Sequence, residues 1–467
     1  MYELDNSTLY TYLIYATSSF NEVSKLSTLN TSGSIIWAVI KPFIAKLSDV
    51  LGRGETYLFC ITCYLLAYIL IASSSHFSAY AAGYILYCVG QSGLNTMNDV
   101  IIADISSARW RGFAVGISFF PFLIIPWCAA FITESVVDGI GWRWGIGILS
   151  ICLPFCASLI IGTLFYFQRK AVKEGYVPPI KRRITIYEFA SVVDLGGLFL
   201  LSGGFAMILI PLTLAAGAPH SWHTGWIIAL LILGVALVIA LPFYESYVAK
   251  NPIVPIWYLE NLTITISLLL IATDSLGFSC THTYFYTWAV VARDLPIHTA
   301  TFLNLSNGIM QCLVGILAGL IMYRTRQYKW LVLTAICIRI LGYGIMIRLR
   351  RLDTSLAELF VVQLIQGIGS GIIQTSIFVA GTISVPHKQL AQITALVLCS
   401  SFLGNSVGSA IAGGIYSGTF KTQLAEQLGS GASQTLINSV YNSITGVLPV
   451  WGSVERIAID QAVSSVA

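Results

Sequence analysis

Thr224-Gly-Trp-Ile-Ile-Ala-Leu-Leu-Ile-Leu-Gly-Val-Ala-Leu-Val-Ile-Ala-Leu-Pro-Phe-Tyr244 carries no charged side chain from end to end. A helix gains about 1.5 Å per residue, so a run of about 20 apolar residues matches the hydrocarbon core of a bilayer. Working outward, comparable runs lie at 30–47, 56–74, 78–102, 112–133, 143–167, 194–216, 262–281, 299–322, 329–347, 357–381 and 390–416, about twelve in all. A further apolar stretch, Tyr10–Ser19, is about half the length a span needs. The chain is 56% hydrophobic and 10% charged, against about 25% charged in soluble domains. Lipid accepts that apolar surface; water does not. The fold class is therefore all-α and polytopic in a membrane.

Lys and Arg set the expected orientation. Lys46 and Arg53; Arg109 and Arg111; Arg169, Lys170, Lys173, Lys181, Arg182 and Arg183; Lys250; Arg324, Arg326 and Lys329; and Lys388 fall in alternate loops, which should be cytoplasmic. Arg348, Arg350 and Arg351 break the pattern. The basic stretch 168–192, with Pro178 and Pro179, reads as a linker. The expected division is 1–167 as a first helix bundle, 168–260 as linker plus two additional helices, 261–416 as a second bundle, and 417–467 as a polar extracellular segment. No basic domain or aromatic–basic stripe points to nucleic acid. The residues Met1–Tyr12 are polar and aromatic, so no signal peptide is expected there.

A faint repeat supports two bundles. Ala45-Lys-Leu-Ser-Asp49-Val-Leu-Gly52-Arg53 has a counterpart in Gly319-Leu-Ile-Met-Tyr-Arg324-Thr-Arg326-Gln-Tyr-Lys329. Gly90-Gln-Ser-Gly93-Leu-Asn95 likewise corresponds to Gly367-Ile-Gly369-Ser-Gly371-Ile-Ile-Gln374. Two six-helix bundles with two extra helices between them give this spacing. Repeats of this kind mark membrane transporters, although small residues also recur wherever helices pack closely.

Candidate functional groups are the polar residues inside spans, since an ionisable side chain at mid-bilayer costs about 2.5–3.5 kcal/mol on insertion scales. Asn95 and Asp99 are four apart and share a helix face. Asp99 is a candidate proton site or cation partner; a structural polar contact is the plain alternative. Asp274 beside Thr273 and Ser275 is the second candidate for proton coupling. Lys41 and Arg339 either pair with these acids or snorkel. Candidate cavity residues are Asn95; Tyr284, Tyr286 and Trp288, which equally fit an interfacial aromatic belt; Asn304, Asn307 and Gln311 on one helical face; and Gln363, Gln366 and Gln374. The amides serve equally as interhelical hydrogen bonds. His282 and His298 sit near the outer face and titrate in the physiological range only if their surroundings permit. The ten cysteines sit mostly in apolar runs and read as small buried hydrophobes. No metal-ligating cluster and no cofactor motif is present, and no nucleophile or phosphate-binding motif suggests an enzyme. Asn6-Ser7-Thr8 and Asn30-Thr31-Ser32 fit the glycosylation pattern.

Asp49-Val-Leu-Gly52-Arg53 resembles the cytoplasmic turn motif of the major facilitator superfamily. In it Gly52 keeps the turn short, and Asp49 and Arg53 can stabilise one closed state through pairing across an interface. Ser106-Ser107-Ala108-Arg109-Trp110-Arg111-Gly112 and Gly141-Trp142-Arg143-Trp144 resemble its fourteen-helix proton-coupled branch. Lys41-Pro42-Phe43-Ile44-Ala45-Lys46-Leu47-Ser48-Asp49 through Gly52-Arg53-Gly54-Glu55 is similar to the fungal siderophore–iron transporters. So are Tyr284-Phe285-Tyr286-Thr287-Trp288, Ala300-Thr301-Phe302-Leu303-Asn304, Gly404-Asn405-Ser406-Val407-Gly408, and the tail with Tyr441 and Arg456. By comparison with that family, the first helix is expected to be incomplete and the last to be missing. The resemblance implies import of an iron(III)–siderophore chelate with protons by alternating access, through a monomer in the plasma membrane or an endosomal vesicle. The iron arrives already wrapped, which agrees with the missing metal ligands. The rivals are a multidrug–proton antiporter of the same branch, a chelate receptor and an inactive truncated product.

Overall fold

The computed structural model describes residues 2–107, 110–118, 120–175, 191, 193–215, 223–250, 252, 256–351, 354–386, 389–428, 437, 441, 449 and 453–466. Arg109, Pro178, Pro179, Lys181, Arg182, Arg183 and Lys388, used above for orientation and for the linker, lie outside them, as does the conformation of most of 429–452. Every regular element among the described residues is helical.

The first half comprises α1 (Tyr2–Ser19), α2 (Leu26–Leu51), α3 (Arg53–Ala72), α4 (Phe77–Ile105), α5 (Arg111–Ser118), α6 (Ile125–Asp138) and α7 (Trp142–Lys173). Two further helices follow, α8 (Leu195–Leu214) and α9 (Gly225–Tyr247), then the short α10 (Ile256–Glu260). The second half holds α11 (Leu262–His282), α12 (Phe285–Val291), α13 (Ile297–Thr325), α14 (Lys329–Leu349), α15 (Leu356–Ile383) and α16 (Leu390–Leu428), with α17 (Val454–Val466) after it. Among the described residues nine helical stretches are long and apolar enough to cross a membrane. Helices α1, α2 and α4 are not among the nine because they carry polar side chains described below, and α5 and α6 because each is shorter than a span.

Four expectations about the elements need correction. The first helix begins at Tyr2, not near Tyr10, because Glu3 and Asp5 are turned into the protein and so do not end it. The span at 112–133 is two helices joined by a 3-10 turn at Phe120–Leu123. Pro121 and Pro126 explain the break, since each lacks a backbone N–H and crowds the preceding turn. The helix starting at Leu390 does not stop near 416 but runs to Leu428. The segment after it is not simply a polar loop: α17 docks on α16, and its buried Arg456 donates to the Val291 carbonyl at 2.5 Å while pairing with Asp460 at 3.0 Å. Both glycosylation patterns also fall inside helices, α1 and α2, with Ser7, Thr8 and Thr31 buried.

The halves meet along two seams. On one side α2 lies against α16; on the other α5 and α6 lie against α13. Helix α8 packs on both α2 and α16 and carries α9 on its outer face. Helix α9 buries little beyond Ile227, Gly234 and Glu245, so its surface is left for lipid. Within each half, glycines set the spacing. A Cβ on Gly90 of α4 would stand 2.6 Å from the Tyr64 nitrogen of α3, and one on Gly367 of α15 would stand 2.5 Å from the Asn307 oxygen of α13. The paired Gly-rich stretches thus do the same work in both halves, letting one backbone approach another.

Replacing either of these glycines with Val should lower stability by about 1–3 kcal/mol or more, since rigid backbone cannot yield. Gly162→Ala, at a position with nothing within 4 Å, should be neutral or stabilising. Thermal unfolding in detergent checks both.

Candidate functional site

Helices α1, α2, α4 and the break between α5 and α6, all from the first half, wall a central cavity of about 320 Å³ together with α11, α13, α15 and α16 from the second. If the broken α5–α6 pair counts as one span, these are the first, second, fourth and fifth spans of each half. The first half presents Tyr2, Glu3, Asn6, Trp37, Gln91, Asn95 and Asp99; the second presents Gln311, Gln374, Thr375, Ser401 and Phe402 among apolar neighbours. Phe122, in the turn imposed by Pro121, fits against Gly308 of α13.

Gln91, Asn95 and Asp99 recur every four residues, so helical geometry puts them on one face of α4. Behind them lies Lys41 of α2, fully buried. Its ammonium donates to Asn95 Oδ1 at 2.7 Å and sits 4.8 Å from the Phe402 ring centre. Asp99 is the carboxylate whose charge acts on it. Lys41 therefore does not snorkel; it belongs to the polar centre of the cavity. Across from it, Gln311 Nε2 donates to Gln374 Oε1, tying α13 to α15.

The other candidates lie elsewhere. Asp274 is not in the cavity wall: Arg339 of α14 donates to its Oδ1 at 2.6 Å, and both side chains are nearly sealed from solvent. Arg339 also donates to the Gln366 carbonyl at 3.1 Å, and the Gln366 amide reaches back toward α14. Gln363 Oε1 accepts from His282 Nε2 at 2.9 Å, and the Gln363 backbone carbonyl accepts from Asn307 Nδ2 at 3.3 Å. Asn304 is half-buried on α13 outside the cavity. Tyr284, Tyr286 and Trp288 line neither the cavity nor a lipid-facing belt, for all three are buried. Tyr284 stacks on Tyr416 at 4.2 Å, and Trp288 Nε1 donates to Ser464 Oγ of α17 at 3.0 Å. The helix after Ile383, read as ending near 416, supplies the missing wall of that aromatic cluster.

The turn motif forms a latch within the first half. Gly52 has φ +109°, a backbone region where a side chain is strained. Arg53 pairs with Asp49 at 2.6 Å and with Asp104, at the end of α4, at 3.1 Å. Its partners therefore belong to its own half and not, as the resemblance implied, to the far side of an interface. Between the halves, Trp110 stacks on Tyr323 at 4.4 Å at this end, and Glu134 lies 2.8 Å from His298 at the opposite end. Ser106 and Trp110 of the second resembling segment are described; Ala108 and Arg109 are not.

The sequence reading missed Tyr2, Glu3, Asn6, Trp37 and Gln91. Gln91 was available as the residue one turn before Asn95. Among the described residues no three His, Cys, Asp or Glu side chains gather as metal ligands.

Arg339→Met should cost about 3–5 kcal/mol, because it strands the Asp274 carboxylate inside the bundle. Adding Asp274→Leu to it should restore most of the loss. The midpoint of thermal unfolding for the single and the double variant checks the pair.

The family described as Major Facilitator Superfamily matches residues 1–292. The siderochrome iron transporter C of Aspergillus fumigatus is 31% identical over 98% of this chain and 76% of its own length. The siderophore iron transporter mirB of Emericella nidulans is 29% identical over 98% of this chain and 76% of its own. The low affinity heme transporter str3 of Schizosaccharomyces pombe is 30% identical over 94% and 71%. A solved POT family peptide transporter superposes with a TM-score of 0.52 at 14% identity, over 100% of this chain and 96% of that one, which reflects the fold alone. The family match covers more than half of the sequence and the relatives nearly all of it, so this chain is a transporter that belongs to the major facilitator superfamily, in the family of the fungal siderophore iron transporters.

Proposed function

We propose that this chain imports iron(III)–siderophore chelates together with protons, by alternating access at the central cavity. The carrying observation is the cavity itself: corresponding spans of two halves face each other across one space, apolar for the most part, with a few polar side chains converging on it. A ferric chelate presents carbonyl, hydroxamate or catecholate oxygens on its surface. Asn95, Gln311 and Gln374 offer amide donors, and Lys41, reached through Asn95, offers a positive charge. Asp99 balances that charge while the site is empty. In this proposal it is the cavity's proton-responsive group, exchanging Lys41 for a proton as cargo enters. The membrane potential then supplies drive, about 2.3 kcal/mol per charge at 100 mV.

Small-molecule sites span about 300–1,000 Å³, and this cavity lies at the lower end. A hexadentate ferric chelate requires it to widen. In the alternating-access reading, the Trp110–Tyr323 contact opens for one side and the Glu134–His298 contact for the other. The latch of Asp49, Gly52 and Arg53 holds the first half rigid while it rocks. The relative named for haem makes haem the second cargo to compare.

The test is uptake of radio-iron chelates, hydroxamate and catecholate, by yeast lacking its own siderophore transporters and expressing this chain, with haem as competitor. The expected result is concentrative uptake that a protonophore abolishes and that Asp99→Asn lowers by about tenfold or more, equivalent to ~1.4 kcal/mol. Surface expression without uptake, accompanied by raised resistance to toxic organic compounds, would favour a drug–proton antiporter instead.

A further inference from the structure

If the two halves rock, α2 and α16 move against each other, yet α8 lies on both. It can travel with one of them only. What holds α8 to each neighbour differs in kind. Against α2 there are polar ties at both ends of the helix. At one end Thr213 Oγ1 lies 3.0 Å from Thr28 Oγ1. At the other, the half-buried Lys46 of α2 faces the charges of two acids. One is Asp194, which caps α8 by accepting from the Gly197 nitrogen at 3.1 Å; the other is Glu245 of α9. Both acids are buried.

Against α16 the contacts are apolar and the facing side chains small. Leu201 shares a buried cluster with Cys399, and Leu209 shares one with Ala410. A Cβ on Gly414 would stand 3.6 Å from the Leu212 carbonyl oxygen, an ordinary contact distance. Among the described residues no hydrogen bond runs from α8 to α16. Helix α9 follows α8 as one body with it. A Cβ on Gly204 of α8 would stand 2.7 Å from the Val238 side chain, and one on Gly234 of α9 would stand 3.0 Å from the Gly204 carbonyl oxygen.

Parting Lys46 from its acids would strand charges where lipid supplies no replacement. Apolar contact has no preferred direction, so a helix can slip along small residues without breaking a bond. Sliding of packed helices is one of the two common modes of domain movement. We propose that the α8–α9 hairpin travels with the first half, with Lys46 as the positioning residue that clamps it and the face of α8 on α16 as the surface that slides. The rocking motion then breaks no polar contact of the hairpin. This inference rests on the alternating-access reading above.

The test measures distances between pairs of nitroxide spin labels by electron paramagnetic resonance. It uses the full chain in lipid nanodiscs, with the native cysteines replaced. Labels go on three exposed positions at the end that holds Arg53: Phe167 of α7, Tyr247 of α9 and Trp330 of α14. Phe167 reports the first half, since its neighbour Gln168 donates to Glu55 of α3 at 2.8 Å. Trp110→Ala and Glu134→Ala bias the halves toward opposite openings, and gallium(III) desferrioxamine B, which is diamagnetic, is added to each. The Phe167–Trp330 distance should shift by several ångströms between conditions. The Tyr247–Trp330 distance should shift with it, while Tyr247–Phe167 stays fixed. A Tyr247–Phe167 distance that moves overturns the proposal, whether or not Tyr247–Trp330 moves too. A Phe167–Trp330 distance equal under every condition overturns the alternating-access reading itself. For the clamp, Lys46→Met should broaden the Tyr247–Phe167 distribution and Lys46→Arg should keep it narrow. General loss of packing would broaden Phe167–Trp330 as well. Thr28→Val with Thr213→Val, a milder release of the same helix, should broaden Tyr247–Phe167 too, and is read if Lys46→Met fails to assemble. A distribution that stays narrow in the released variant overturns the clamp.

Discussion

A charged side chain inside an apolar bundle must find its partner in the protein, because the bilayer offers none. That constraint organises this molecule. Lys41 is turned to Asn95 and Asp99, Arg339 to Asp274, and Arg456 to Asp460 and a carbonyl. Each pair joins elements that the chain brings together from a distance, apart from the helical pair in α17. The polar residues that would spoil a simple apolar span are the ones that fix which helix stands beside which. Helices α2 and α4, joined in this way, then wall a cavity together with α1.

Backbone proximity does the rest. The Gly-rich stretches of α4 and α15 let neighbours approach to backbone contact, which gives each half a rigid frame. The break at Pro121 works in the opposite sense. It interrupts the α5–α6 span beside the seam and places Phe122 against Gly308 of the other half. The two frames then meet along the α2–α16 seam and the seam of α5 and α6 with α13, the arrangement on which a two-state transporter can rock.

Much of the fold was readable from hydropathy, since long apolar runs leave few alternatives. The errors came where polarity and helicity part company. Glu3 and Asp5 lie outside the apolar run at Tyr10–Ser19, yet both are buried in the same helix, Asp5 against tyrosines. The stretch beyond 416 looked like a loop, yet it shields the Tyr284–Tyr416 stack. Single residues were harder. Asn95 and Asp99 could be paired by helical spacing alone. Nothing in sequence spacing tells Asp274 from Asp99, because the partner that separates them, Arg339, is remote in the chain. The aromatic residues at 284–288 fit a cavity or a belt equally well; only α17 decides that they do neither.

The extra pair α8–α9 has a consequence for where cargo comes from. Helix α8 covers the α2–α16 seam and α9 turns its apolar surface outward. Some transporters draw greasy compounds sideways out of a leaflet through a slit between their halves. On this flank α8 and α9 stand in the way of such a slit, so sideways entry would have to use the opposite seam, between the α5–α6 pair and α13.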